Sequence, residues 1–194
     1  MTLNKPISPQ EYLKRERAST RDKSEYYEGR MITMFGASMA HNRILINLIS
    51  EIRAVLKDKP CEILPSDMRV TIPSRNAYMY PDATIVCGGP ELEDDHFDTL
   101  QNPVVIFEIL SPSTKNHDRG KKFNYYKEIP SFREYVLIDS TECFVEISRR
   151  QESDSWKFES IADPNGHILI SSIHYPLSMD ELYRNVSFGQ KPKH

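Results

Sequence analysis

Two acidic residues interrupt segments that otherwise have the composition of buried strands. Asp82 follows a proline in YPDATIVC (80–87), and Glu108 lies within the apolar run PVVIFEIL (103–110). Because burying an unpaired carboxylate costs roughly several kcal/mol, such residues are usually paired, exposed at a strand end or bound to a cation. Strands joined by one loop are usually neighbours, so the two carboxylates are expected to converge. Hard oxygen ligands of this kind suit Mg²⁺ or Mn²⁺.

Basic residues follow the second of these strands. The segment DRGKKFNYYKE (118–128) is predicted to be helical, and Lys122 and Tyr126, four residues apart, would share one face of that helix. A lysine beside a two-carboxylate metal site could orient or deprotonate a water molecule and offset phosphate charge. These residue types could therefore form a metal site that activates a water molecule.

The elements that must position these groups follow from hydrophobic periodicity and turn residues. A serine cap followed by proline predicts a first helix over residues 8–18. The segment YYEGRMITMFG (26–36) predicts a hairpin that turns at Glu28-Gly29. Apolar residues at helical spacing then predict a long amphipathic helix over about residues 38–57.

The remaining chain is rich in predicted strands. Three or four strands precede a helix that ends near Pro130, and four more strands and a short acid-led helix follow. SWKFESI (155–161) and HILISSI (167–173) are expected to form an antiparallel pair. This order predicts an α/β or α+β domain in which the long helix packs on one face of a mixed sheet.

Length and composition limit the class of protein. At 194 residues, the chain suits one domain, and no run of about 18 apolar residues predicts a membrane span. A net charge of −3 gives no overall attraction to nucleic acid, so a polyanion would need a local basic patch or metal ions. Cys61, Cys87 and Cys143 form no C-x-x-C pair and are interpreted as reduced thiols of a cytoplasmic protein.

Four segments together carry a family resemblance. YPDATIVC, NPVVIFEILSPST, DRGKKFNYY and IPSFREYVLID resemble the PD-(D/E)XK nuclease superfamily, and more specifically its restriction-endonuclease-like family once catalogued as a domain of unknown function. The likeness runs from about Glu28 to Asp139 and more weakly to the C-terminus. It implies a restriction-endonuclease-like mixed β-sheet flanked by helices. The expected organisation is a single domain, 1–194, with a core of about 25–140 and a β-rich extension of about 141–194.

The resemblance also implies a metal site. Asp82 and Glu108 become the ligands of Mg²⁺ or Mn²⁺, with the Ile109 carbonyl as a further ligand. His41, at the start of the long helix, matches a position of an auxiliary ligand. The metal would polarise the phosphoryl oxygen and lower the pKa of a bound water.

The motif lysine of the superfamily is displaced in this chain. Leu110 stands where the lysine is expected, so Lys122 on the following helix becomes the candidate and Lys121 the second choice. Asp118 and Tyr126 are implied as supporting residues. The implied activity is a metal-dependent endonuclease whose partner is nucleic acid, with DNA the first choice, and a homodimer is expected by analogy with related nucleases.

Each candidate also has a purely structural interpretation. Asp82 could cap a turn, Glu108 could pair with a structural cation, and His41 could be a solvated helix-start residue. The acids of ELEDDHFD (91–98) lack the spacing of a calcium loop and are expected to form a solvated loop. Asp67 is either a turn residue or a group near the same site.

Two other classes of function are open. Gly36-x-Ser38-x-Ala40 lies between a strand and a helix, the context of a serine-hydrolase nucleophile, with His167 and His174 downstream. Alanine in place of the final glycine and a single preceding hairpin disfavour this class. A nuclease fold retained for binding or assembly is the third alternative. Metal dependence distinguishes the three.

Overall fold

The computed structural model describes residues 6–188, so both predicted domain ends, residues 1 and 194, lie outside the described part. Five α-helices occur there: α1 (Pro9–Ala18), α2 (Met39–Leu56), α3 (Lys115–His117), α4 (Phe123–Tyr126) and α5 (Met179–Leu182). A π-helical turn, Asp118–Lys122, joins α3 to α4. Within residues 6–188, none of the helices combines the length and the apolar character that crossing a membrane requires.

The strands divide into three sheets. Along the chain they are β1 (Ser24–Tyr27), β2 (Arg30–Thr33), β3 (Cys61–Pro65), β4 (Arg69–Ile72), β5 (Ala77–Met79), β6 (Ala83–Cys87), β7 (Thr99–Leu100), β8 (Val105–Leu110), β9 (Glu134–Asp139), β10 (Val145–Arg150), β11 (Trp156–Ile161), β12 (His167–Ile170) and β13 (Tyr175–Ser178). A six-stranded sheet has the order β11-β10-β9-β8-β6-β3, and a five-stranded sheet has the order β2-β1-β5-β4-β7. β12 and β13 form a ribbon. β8 and β9 are parallel within an otherwise antiparallel six-stranded sheet, so the predicted mixed α+β architecture is confirmed.

Helix α2 packs on one face of the six-stranded sheet, as its periodicity predicts. The four residues of its apolar stripe are buried against Phe107, Ile109 and other sheet residues: Ile44, Leu48, Ile52 and Leu56. Burying each such side chain contributes about 1.5–3 kcal/mol before the entropy of ordering it is counted. This packing fixes the first turn of α2 over one end of the sheet.

The opposite face of β8 packs in a second core. Ile106 and Leu110 contact an aromatic group that includes Tyr126 and Tyr135. Side chains alternate between the faces of a strand, so Glu108 lies on this second face, between Ile106 and Leu110. β8 is therefore covered on both sides, as its continuous apolar sequence predicts.

The predicted hairpin is confirmed, with its turn at Glu28-Gly29. Both residues have positive φ, 53° and 75°, which is the backbone of the tight turns that join twisted strands. A Cβ on Gly29 would lie 2.6 Å from the Cβ of Pro6, so this position also requires glycine for space. The hairpin places β1 beside β5, which leads into the Asp82 segment.

Two expectations for the fold are wrong. β11 pairs with β10 and β12 pairs with β13, so SWKFESI and HILISSI do not pair with each other. β12 buries only alternate residues, Ile168 and Ile170, which join the core beside α2. The acidic segment 91–98 is not merely solvated, because Arg17 of α1 binds both Asp94 and Asp98.

The interpretation of all three cysteines as reduced thiols is also wrong. Cys61 and Cys87 form a disulfide, whereas Cys143 is free. The antiparallel register of β3 and β6 places Cys61 directly opposite Cys87. Their separation of 26 residues carries no pairing signal by itself, because sequence shows neither strand partners nor register.

Reducing this disulfide is expected to lower the free energy of unfolding by about 3 kcal/mol, because the bond closes a long loop in the unfolded chain. Urea unfolding with and without dithiothreitol measures the change. Cys143→Ser is the control and should keep the same response to reductant. A Cys61→Ala/Cys87→Ala variant as stable as the oxidised protein would contradict the prediction.

Candidate active site

Asp82 immediately precedes β6, at the N-terminal end of that strand. Its backbone N–H donates to the Phe107 carbonyl (3.1 Å), and its Oδ2 accepts the Ile109 N–H (2.6 Å). Since Ala83 pairs with Phe107, Asp82 stands opposite Glu108 in the same register. The two sequence-predicted carboxylates are therefore on directly adjacent strands.

His41 reaches the same point from α2. Its Nε2 lies 3.0 Å from Asp82 Oδ1, and the ring also makes a backbone hydrogen bond with Ile109. The position follows from the helix start: Ser38 caps α2 by accepting the His41 N–H (3.1 Å). Burial lowers the pKa of His41, but the hydrogen bond and charge of Asp82, together with the Ile109 backbone bond and the charge of Asp118, leave this pKa raised. Three of the four predicted ligands thus contact one another.

Glu108 is bound by the following helical segment. Lys122 Nζ lies 3.1 Å from Glu108 Oε1, and the Tyr126 hydroxyl donates to the same oxygen at 3.1 Å. The helical spacing of Lys122 and Tyr126 predicts this shared face. Glu108 and Lys122 are buried, with exposed fractions of 3% and 5%.

The structure separates the two candidate lysines. Lys121 Nζ lies 3.1 Å from Glu28 Oε2 and 4.2 Å from the centre of the Tyr27 ring, away from Glu108. Both lysines lie in the π-helical turn, and as successive residues they point to different sides of it, Lys122 towards Glu108 and Lys121 towards Glu28. Only Lys122 of this pair contacts a predicted metal ligand.

Glu25 of β1 is a member of this cluster that the sequence analysis missed. Its Oε1 lies 2.8 Å from Lys122 Nζ and accepts the Tyr80 N–H at 3.1 Å. Lys122 in turn donates to the Tyr80 carbonyl (3.4 Å). The available signal was an acid in the aromatic strand SEYY, the same type of signal that marked Glu108. Glu25 thus links the lysine to the backbone two residues before Asp82.

Asp118 completes the cluster. Its Oδ1 lies 3.8 Å from Lys122 Nζ, and the Tyr135 hydroxyl donates to its backbone carbonyl (3.0 Å). Burial raises the pKa of Asp118, and Lys122 opposes the rise. The residue is 4% exposed. It therefore adds negative charge beside the lysine in a region that water scarcely reaches.

Burial and a local excess of carboxylates together set the electrostatics of this cluster. Burial raises the pKa of Glu108 well above its ordinary value, Lys122 opposes this rise, and neighbouring carboxylates add to it. Burial by itself lowers the pKa of Lys122, but the surrounding carboxylates, Glu108 first, hold that pKa well above the usual value. Burial is thus the main cause of the raised Glu108 pKa, whereas the raised Lys122 pKa comes from the several acids that share this one ammonium group.

The family comparison gives a direct assignment. A family model described as "Uma2: Putative restriction endonuclease" matches residues 9–179. The chain belongs to the Uma2 family. The restriction-endonuclease-like resemblance of the four sequence segments is thereby confirmed.

Two similar proteins come from Synechocystis sp. The chain is 35% identical over 171 residues to "Uncharacterized protein sll1609", covering 88% of this chain and 96% of that protein. It is 30% identical over 182 residues to "Uncharacterized protein slr1290", covering 94% of each. The sequence similarity therefore extends over nearly the whole length of both relatives.

The Uma2 fold also occurs in a solved structure. A crystal structure described as a "putative nuclease belonging to DUF820" from Anabaena variabilis has a TM-score of 0.74 and 24% identity, covering 92% of this chain and 98% of that chain. At that identity the likeness establishes the fold, in agreement with the predicted mixed sheet flanked by helices.

The other candidate residues of the sequence analysis lie outside the candidate active site described above. Ser38 acts as the helix cap described above, and His167 and His174 lie in and beside the C-terminal ribbon. Asp67 is exposed and paired with Lys23. The serine-hydrolase alternative therefore gains no support from these positions.

The donor types present suit a hard divalent cation. Two carboxylates and a backbone carbonyl are oxygen ligands of the kind that Mg²⁺ and Mn²⁺ take, and surplus negative charge surrounds them. Among residues 6–188, no three His, Cys, Asp or Glu side chains are arranged as a ready cation-binding group. Since Mg²⁺ usually keeps several waters and takes only one or two protein carboxylates, the Asp82–Glu108 pair fits this mode.

Proposed function

We propose that the protein is a divalent-metal-dependent nuclease that hydrolyses phosphodiester bonds of nucleic acid, with DNA as the first substrate to test. The observation that carries this proposal is the convergence of Asp82 and Glu108 on adjacent strands with a buried lysine bound to Glu108. Membership of a family described as a restriction endonuclease supports it.

In this proposal Asp82, Glu108 and the Ile109 carbonyl hold Mg²⁺ or Mn²⁺, with His41 as an auxiliary ligand. The ion, when bound, supplies Lewis-acid polarisation of the phosphoryl group and a water of lowered pKa. The Tyr126 hydroxyl holds Glu108 in position, and His41 and the Ile109 N–H orient Asp82. These contacts leave the carboxylates little rotational freedom to lose on binding the ion.

The role of Lys122 follows from its charge. Its pKa lies well above the usual value, so the side chain stays protonated at neutral pH. A protonated lysine stabilises developing negative charge and donates hydrogen bonds, but it does not accept a proton from water. Of the two roles considered for it, orientation and charge stabilisation are therefore proposed, with Glu25 and Asp118 holding the ammonium in place.

Glu108→Gln is expected to reduce cleavage of plasmid DNA or labelled RNA by at least about a hundredfold in Mg²⁺ or Mn²⁺. Glutamine keeps the side-chain shape and can still accept the Tyr126 hydrogen bond, but it lacks the charge. Single-turnover gel assays with the wild type, the variant and EDTA-treated protein measure the effect.

Glu134→Gln is the matched control, since Glu134 is likewise a buried strand glutamate (2% exposed) but is paired with Arg149 on β10. Its rate should equal that of the wild type. Cleavage that persists in EDTA, or an unaffected Glu108→Gln, would contradict the proposed function.

The homodimer and the cytoplasmic location stay predictions. Light scattering tests the homodimer.

A further inference from the structure

A cluster of exposed apolar side chains adjoins the candidate site. Ile32 in β2, Phe35 in the connection from β2 to α2, and Met39 at the first position of α2 are 42%, 93% and 68% exposed. Single exposed apolar residues are ordinary, but three within eight positions of sequence mark this segment as a candidate binding surface. These three residues are called the apolar lip.

Hydrogen bonds hold both ends of the segment that carries the apolar lip against elements of the candidate site. The Met34 N–H closes the β1–β2 ladder, and Ser38 caps α2 through the His41 N–H. His41 in turn contacts Asp82. Phe35 lies three positions before Ser38, and an extended chain covers about 10 Å over that distance. Phe35 is therefore within about three nucleotide steps of the helix start that carries His41.

The charge around the lip suits a polyanion. Asp and Glu number 28 in the chain, yet neither occurs between Gly29 and Ser50. Arg30 and Arg43 of this segment are both exposed, and Arg43 also donates to the Asn185 carbonyl. An acid-free segment with two exposed arginines favours contact with phosphate groups even though the whole chain is acidic.

The space beside Phe35 is open. A Cβ built on Gly36 meets no atom within 4 Å, so nothing packs against this side of the connection. An exposed aromatic ring next to a backbone-binding surface is the arrangement with which proteins stack single-stranded bases. A base inside a duplex is already stacked on its neighbours and cannot offer its face to such a ring.

We propose that the apolar lip is a stacking surface, with Phe35 at its centre, for an unpaired nucleobase next to the scissile phosphate. The inference rests on the proposed nuclease function and deepens it, since it assigns single-stranded or locally unpaired nucleic acid as the substrate class. Stacking accepts any base, because every base has a π-face. The lip therefore supplies affinity without sequence preference.

Fluorescence anisotropy in EDTA, where no metal-dependent cleavage occurs, tests the proposal. The probes are a labelled oligothymidylate, an abasic oligonucleotide of the same length, and a duplex. Phe35→Ala should weaken oligothymidylate binding by about five- to a hundredfold and leave abasic binding unchanged. Phe35→Trp should keep the affinity. Phe97→Ala, which removes a 68% exposed phenylalanine elsewhere, should have no effect.

Each other outcome has a definite meaning. If Phe35→Ala binds oligothymidylate as the wild type does, the stacking surface is overturned, and a positive Mg²⁺ cleavage assay leaves the nuclease proposal standing. If binding depends on Phe35 but the wild type cleaves nothing in Mg²⁺ or Mn²⁺, the hydrolytic function is overturned and the surface stands. If Phe35→Ala changes only the molar mass in light scattering, the lip is a contact between copies and the inference is overturned.

Discussion

Lys122→Met is expected to lower the free energy of unfolding by about 3–5 kcal/mol and to abolish cleavage. The lysine is 5% exposed, and its ammonium contacts both Glu25 and Glu108. Methionine has a similar length and volume, so the variant removes the charge without opening a large cavity. The buried carboxylates are then left facing one another without a cation. Urea unfolding at neutral pH measures the loss of stability.

Lys121→Met is the control on the neighbouring residue. Lys121 is partly exposed, and its partner Glu28 is mostly exposed, so the stability of this variant should stay within about 0.5 kcal/mol of the wild type. It should also keep its cleavage activity. Equal effects of the two substitutions would contradict the assignment of the buried lysine.

The stability lost in Lys122→Met is expected to shrink as the pH falls. The pKa of Glu108 is raised by burial above its ordinary value of 4.5. A carboxyl with a raised folded-state pKa favours folding below its unfolded pKa, and this contribution is lost as pH rises through the folded value. Removing the ammonium takes away the positive charge that opposes this rise. The deficit should therefore be largest at neutral pH and smaller towards pH 4.5, and a deficit that grew on acidification would contradict this.

A second substitution separates stability from catalysis. Lys122→Met combined with Glu25→Gln removes one of the uncompensated carboxylates, so it should recover part of the lost stability. It should not recover cleavage, because no cation remains beside Glu108. Recovery of both properties would show that Lys122 has a structural role alone.

Asp82→Asn is expected to weaken Mn²⁺ binding by more than about a hundredfold, since losing a ligand should cost at least as much as losing a residue that orients one. Calorimetric titration of Mn²⁺ without nucleic acid measures this directly. Asparagine keeps an oxygen that can accept the Ile109 N–H, so the fold should be retained. Cleavage should be lost in parallel with binding.

Asp94→Asn is the matched control for the Mn²⁺ titration. Asp94 belongs to the acidic segment 91–98 and is bound by Arg17, so its replacement should leave Mn²⁺ binding unchanged. If Mn²⁺ binds the wild type and Asp82→Asn equally, the metal site lies elsewhere. If it binds neither, and cleavage is also absent, a non-catalytic binding or assembly module becomes the better explanation of the fold.

The local elements were predictable because their signals are local. Helix α2, the hairpin turn at Glu28-Gly29 and the doubly covered strand β8 each follow from the period or chemistry of a short segment. The neighbouring positions of Asp82 and Glu108 followed from two acids in apolar strands joined by one loop. Lys122 and Tyr126 were placed on one face by helical spacing alone.

Tertiary structure decided the partners of those elements. Glu25 joins Lys122 across 97 positions of sequence, and Cys61 meets Cys87 only through the register of β3 and β6. The choice between the adjacent lysines depends on which side of the π-helical turn packs against Glu25 and Glu108, since both lysines lie in that turn. Periodicity reports which residues share a face, but burial between distant segments determines what that face contacts. The sequence by itself therefore determined the chemical groups and their supporting elements, and long-range packing decided which of those groups meet.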